Sequence, residues 1–142
     1  MAETPVWEPV VPYDRTFDAR YGLEFLAHDA GAGELRGRVE VRAELLTEHG
    51  LLHGGVLAGA AEAIASTGTA LAVMERGDAA MGLSNDTTVL ADVRGGTIDL
   101  LATAVHRGER EWLWTVDATD EDGRPLAHSR VTVAVRPLRR PE

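Results

Sequence analysis

The chain has 142 residues and a formal net charge of -9 at pH 7, with 44% hydrophobic and 26% charged residues. That length fits one domain around a single modest core, and the acidic balance excludes a general nucleic-acid surface, which needs a basic patch against the phosphates. There is no Cys, so disulfides, thiolate catalysis and Cys-based zinc sites are excluded, and all 14 basic residues are Arg.

Residues 1–16 hold Pro5, Pro9 and Pro12 and read as an irregular arm, which Trp7 and Tyr13 are placed to pin. The arm lacks the positive start and apolar core of a signal peptide, so a cytoplasmic protein is expected. Phe17 to Leu23 reads as a short helix ended by Gly22. From Leu23 to Arg42, alternation runs on both sides of Gly31-Ala32-Gly33, with Leu35, Val39 and Val41 opposite Arg36, Arg38, Glu40 and Arg42. A loop around His49-Gly50 leads to His53-Gly54-Gly55 and a helix from about Gly55 to Met74, stopped by Glu75-Arg76-Gly77-Asp78.

The run from Gly54 to Met74 is long enough to span a bilayer, but its Ala, Gly, Ser and Thr content and its central Glu62 read as a helix buried in a soluble protein. Four strand-like segments follow, at Met81–Val93, Thr97–His106, Arg110–Asp120 and Leu126–Arg136, with Asp122-Gly123 marking a hairpin. The tail from Leu138 to Glu142 is expected to be disordered. The order of elements predicts an α+β domain over residues 17–137, one long helix lying on a curved antiparallel sheet.

Glu62 is the only charge between Gly54 and Met74. A carboxylate in such a segment is costly unless it is paired, hydrated or used. Ser66 stands four residues on, on the same helix face. The unpaired N–H groups at a helix start lie at the positive end of the dipole, and Gly54 and Gly55 would let a carbonyl approach them with no Cβ in the way. The bland readings are a structural Glu62, a Ser66 bonded to its own backbone and a His53 that only shapes the turn. His49, His106 and His128 lack metal-ligand spacing, so no metal site is expected.

The run Gly50-Leu51-Leu52-His53-Gly54-Gly55, followed by Glu62 within the helix, resembles the hotdog-fold acyl-CoA thioesterases. The similarity covers roughly residues 17–136 and is nearest to the phenylacetate-degradation-type branch, with its Arthrobacter-type 4-hydroxybenzoyl-CoA thioesterases. The resemblance implies hydrolysis of an aromatic or otherwise compact acyl-CoA, without metal or redox cofactor, by a homodimer that pairs into a homotetramer. It implies that Glu62 is the general base or the nucleophile, with Ser66 orienting it or the water. Because Glu62 lies about 10 Å along the axis from Gly55, at ~1.5 Å per residue, the resemblance further implies that it acts across the dimer interface.

One departure is Thr47, which stands six residues before His53 where the family usually has Asn or Gln; it can still donate a hydrogen bond, with shorter reach. Arg107, Arg110 and Arg130 are candidates for the phosphates of coenzyme A, since Arg suits bidentate phosphate contact. Trp112 and Trp114 read as sheet packing or interface residues. A hydratase or dehydratase on the same fold would be expected to carry prolines after the His, and His53-Gly54-Gly55-Val56-Leu57-Ala58-Gly59 has none. A non-catalytic acyl-CoA-binding module would have little need of Glu62.

Overall fold

The computed structural model describes residues 9–138. Trp7, the first half of the arm and the end of the tail lie outside the described residues. The rest of the arm closes in a single 3-10 turn at Tyr13–Arg15, and the Tyr13 hydroxyl donates to the Leu23 carbonyl, which pins it to the body. Helix α1 (Phe17–Tyr21) starts where the Thr16 side chain accepts the Ala19 N–H and stops at Gly22, whose φ of 76° is left-handed.

Strands β1 (Glu24–Asp29) and β2 (Glu34–Glu40) form the first hairpin. In β2, Leu35, Gly37 and Val39 point inward and Arg36, Arg38 and Glu40 outward, the period of two that the alternation required. Helix α2 (Gly54–Val73) is built mostly from Ala and other small residues and runs into a 3-10 turn at Met74–Arg76, closed by left-handed Gly77. Four strands follow: β3 (Asp78–Val89), β4 (Thr97–Arg107), β5 (Glu111–Thr119) and β6 (Pro125–Pro137).

The six strands make one antiparallel sheet in the order β1-β2-β4-β5-β6-β3. Strand β3, first of the last four in the chain, therefore lies at an edge beside β6. It begins earlier than the expected Met81, because Gly77 ends the helix and Asp78, Ala79 and Ala80 pair at once with Pro137, Arg136 and Val135. At the other end, Leu90 keeps one bond to the Leu126 carbonyl (2.8 Å) and the chain then leaves the ladder. Leu138 returns its N–H to the Gly77 carbonyl at 3.0 Å, so the tail is held at least that far.

Helix α2 lies along the concave face of the sheet and turns Ala60, Ala61, Ile64, Ala65, Gly68, Thr69 and Val73 into it; Ile64, Ala65 and Val73 are 0% exposed. Small side chains allow this approach. A Cβ added at Gly68 would stand 2.5 Å from the Trp114 ring, and one added at Gly37 would stand 3.2 Å from the Ile64 tip. The Trp114 indole N–H donates to the Thr69 hydroxyl at 2.8 Å, and that hydroxyl donates to the Ala65 carbonyl at 3.0 Å, so the deepest polar groups are satisfied. Trp112 stacks on Trp114 with centroids 5.9 Å apart, which makes both tryptophans sheet packing. The helix long and apolar enough for a bilayer is the core helix of this sheet.

Candidate active site

His53 reaches the start of α2 from a loop tied at three points. Its N–H donates to the Leu45 carbonyl at 2.9 Å, the Leu52 N–H donates to Val93 at 2.7 Å, and Leu46 pairs with Leu52 in an isolated bridge. Extended backbone at His53 (φ -64°, ψ 127°) makes it the N-cap. Its Nδ1 accepts the Gly55 N–H at 2.8 Å. A neutral imidazole with Nδ1 accepting carries its proton on Nε2. A Cβ at Gly55 would stand 2.8 Å from that Nδ1, so glycine is what lets the ring fold over the helix end. The Gly55 amide, expected to be free for a ligand, is thus capped by His53 in this structure, because the ring is the nearest acceptor.

Beside this helix start lies a cavity of about 700 Å³, with Phe17, Arg20, Arg42, Leu45, His53 and Val56 in its wall. The Arg42 guanidinium donates to the Arg20 backbone carbonyl, which ties Arg42 to the end of α1, and Arg20, Arg42 and Glu44 all line this cavity. Neither arginine stood out in the sequence, since they come from α1 and from just past β2 with no spacing to link them. Thr47 sits in a tight turn: its N–H donates to Leu51 at 2.7 Å, its carbonyl accepts from Gly50 at 2.9 Å, and its hydroxyl oxygen accepts the His49 N–H at 3.3 Å. It does not line this cavity.

Glu62 and Ser66 lie on the flank of α2 that looks toward edge strand β3 rather than into the core. Glu62 is exposed and Ser66 half-buried, so within one chain the carboxylate is hydrated and the burial cost inferred from the sequence does not arise. They share a cavity of about 350 Å³ with Phe17, Gly59, Met81 and Gly82. Ser66 also lines the next cavity along the helix, about 440 Å³ and mostly apolar, with Ala70, Leu71, Met74, Ala80 and Leu138. The two form successive stretches of one groove between α2 and β3. Gly82 faces the carboxylate directly: a Cβ there would stand 2.5 Å from Glu62 Oε1 and 2.9 Å from its Cδ.

Below Phe17, the Tyr21 hydroxyl donates to Asp18 at 2.6 Å. Burial first, then that bond and the charges of Asp18 and Glu62, push the Tyr21 phenol far above its ordinary pKa, so it stays protonated. The three expected phosphate-binding arginines are not gathered here. Arg107 spends its guanidinium on the Ala30 and Gly31 carbonyls, both at 3.1 Å, and lies over Trp112. Arg110 sits in the β4–β5 turn, where its carbonyl accepts from Arg136 at 2.9 Å. Arg107 ends β4 and Arg110 follows it, at the opposite end of that strand from Val93, which holds the loop before α2. Arg130 is exposed between buried Ser129 and Val131, on the sheet face turned away from the helix. Among the described residues no cluster of His, Asp and Glu is arranged to hold a metal.

The chain is 32% identical over 119 residues to a 1,4-dihydroxy-2-naphthoyl-CoA hydrolase of Listeria monocytogenes, covering 84% of this chain and 94% of that one. The fold is similar to the crystal structure of a mutant of thioesterase PA1618 from Pseudomonas aeruginosa, with a TM-score of 0.83, 29% identity and 88% of each chain covered. It is also similar to thioesterase HI1161 from Haemophilus influenzae, with a TM-score of 0.79, 29% identity, and 86% of this chain and 83% of that one covered. No family model matches the chain. Sequence identity over most of both chains and a shared architecture of one long helix on a six-stranded antiparallel sheet agree: the chain belongs to the hotdog-fold acyl-CoA thioesterases, enzymes that hydrolyse thioesters.

Proposed function

We propose that the enzyme hydrolyses an aromatic or similarly compact acyl-CoA to the free acid and coenzyme A, with Glu62 as the reacting carboxylate. The observation that carries this reading is the groove between α2 and β3, where Glu62 and Ser66 open side by side and an apolar stretch walled by Ala70, Leu71 and Met74 continues from Ser66. The acyl group lies in the apolar stretch and its thioester carbon faces Glu62. Glu62 either takes a proton from the attacking water or attacks the carbonyl carbon itself to form an anhydride that water then opens; in both cases the C–S bond breaks and the thiolate leaves to be protonated. Ser66 donates to the carboxylate or to the water.

The carbonyl oxygen is met by the N-terminal amides of α2 at Gly54 and Gly55, with the His53 ring displaced from Gly55 or its Nε2–H donating in that amide's place; one such donor is worth about 3 kcal/mol in the transition state. Within one chain, Gly55 and Glu62 are seven residues apart on α2, too far to grip one carbonyl. We therefore place the helix start of a second copy opposite Glu62. Exposed Met81 and Leu83 on edge strand β3 and exposed Leu71 on α2 supply an apolar face for that homodimer, and two dimers make the tetramer. Arg20 and Arg42, on the rim beside His53, are better placed for the coenzyme A phosphates than Arg107, Arg110 or Arg130. No metal or redox cofactor enters these steps, and the enzyme works in the cytoplasm.

The test is free-thiol release from a panel of aromatic and aliphatic acyl-CoA esters by the native protein and by Glu62→Gln. Hydrolysis of aromatic esters by the native protein, with Glu62→Gln nearly inactive, is the expected result. Full activity in Glu62→Gln, or no turnover of any ester, would sink it. In single-turnover hydrolysis in 18O-labelled water, label in Glu62 marks an anhydride that water opens at the Glu62 carboxyl carbon, whereas direct attack of water on the thioester places all the label in the product acid.

A further inference from the structure

We infer that Gly82 is a positioning residue for Glu62: its missing side chain is the space in which the reacting carboxylate lies. The inference rests on the catalytic role of Glu62 proposed above. The exposed Glu62 carboxylate has no side-chain hydrogen-bond partner among the described residues, and a flexible carboxylate of this kind has many rotamers open to it. What shapes its surroundings is strand β3. At Gly82 the backbone of β3 comes so near that a Cβ would stand 2.5 Å from Oε1, 2.9 Å from Cδ and 3.0 Å from Cγ. The ladder to β6 slips immediately after, between Gly82 and Ser84, so the strand bends where it passes the carboxylate.

Gly82 is not needed for backbone shape. It is absent from the glycines with positive φ, which are Gly22, Gly33, Gly50, Gly77, Gly96 and Gly123. Alanine fits its backbone, and replacing glycine where that holds stabilises a chain by narrowing its unfolded states. The atoms an added methyl would strike belong to the end of one flexible side chain, which can swing aside at little cost to the fold. Gly82→Ala should therefore leave folding intact and move Glu62 off the thioester carbon. A displacement of about 1 Å at a reacting group costs on the order of 100-fold in rate.

The experiment is a double-mutant cycle on the full chain: native, Gly82→Ala, Glu62→Gln and the double variant, each with kcat, KM and thermal midpoint measured on one aromatic acyl-CoA ester. The expected result is a kcat lowered about 100-fold in Gly82→Ala, KM within about threefold, a melting temperature equal to or above native, and no further loss when Gly82→Ala is added to Glu62→Gln. Native-like kcat in Gly82→Ala, with Glu62→Gln inactive, overturns this inference alone. A further loss in the Glu62→Gln background, or a lowered melting temperature, also overturns it, because Gly82 would then act through the fold. Full activity in Glu62→Gln instead removes the catalytic reading itself.

Discussion

Gly68 and Gly82 face opposite sides of the molecule's working parts, and each lacks a Cβ that would stand 2.5 Å from its nearest neighbour. At Gly68 the neighbour is the Trp114 ring, 2% exposed, stacked on Trp112 and held by Thr69. At Gly82 it is a carboxylate end in an open groove. The same gap thus has two meanings. On the buried face of α2 it is closed by something that cannot move, and it sets how near helix and sheet may come. On the open face it is filled by something that moves freely, and it sets where a reactive group rests.

Substitutions on the two faces separate these meanings. The largest effect belongs to the open face: Glu62→Gln is expected to lower kcat about 1,000-fold, within the range for a general base, with its thermal midpoint nearly unchanged. Gly68→Ala reverses that pattern. Overpacking against Trp114 costs about 3 kcal/mol and the better helix propensity of Ala returns about 1, so urea unfolding should show a net loss of about 2 kcal/mol, with kcat kept at temperatures where the chain stays folded. If Gly68→Ala proves neutral, helix and sheet are looser than the packing implies.

Thr69→Val leaves the Trp114 N–H buried without an acceptor and should cost about 1–2 kcal/mol by the same unfolding measurement. Asn85→Ala removes, at an exposed position, a 2.8 Å bond from edge strand β3 to the Ala58 carbonyl of α2 and the acceptor of the Thr87 hydroxyl, which keeps Ser129 as a partner, and should cost no more than about 1 kcal/mol. A loss in Asn85→Ala as large as in Thr69→Val would mean that β3 is as firmly built into the fold as β5, and the contrast between the faces would fail.

The long helix, the strand segments and the Glu62–Ser66 pair were legible because they rest on local patterns: small-residue composition, alternation, and a four-residue step on one helix face. The sheet order was not. Nothing local says that β3 crosses to pair with β6, so the wall opposite Glu62 could not be named from the sequence. The surroundings of the candidate arginines were hidden for the same reason. Arg107, Arg110 and Arg130 stand near turn signals or in strands, but their use depends on which end and face of the sheet they reach, and Arg107 is spent on the β1–β2 turn. Arg20 and Arg42 meet only after folding. Gly82 did carry a signal, since a glycine inside a strand often marks the close approach of another group.

The seat of Trp114 also makes the chain its own optical gauge. Of its three tryptophans, Trp112 is 8% and Trp114 2% exposed, and the Trp114 indole touches α2 through both Gly68 and Thr69. While helix and sheet stay docked, that indole emits from a dry, apolar setting at short wavelength. Once they part, water reaches it and the emission moves to the red, so ultraviolet light reports the state of the contact on which both faces of the helix depend.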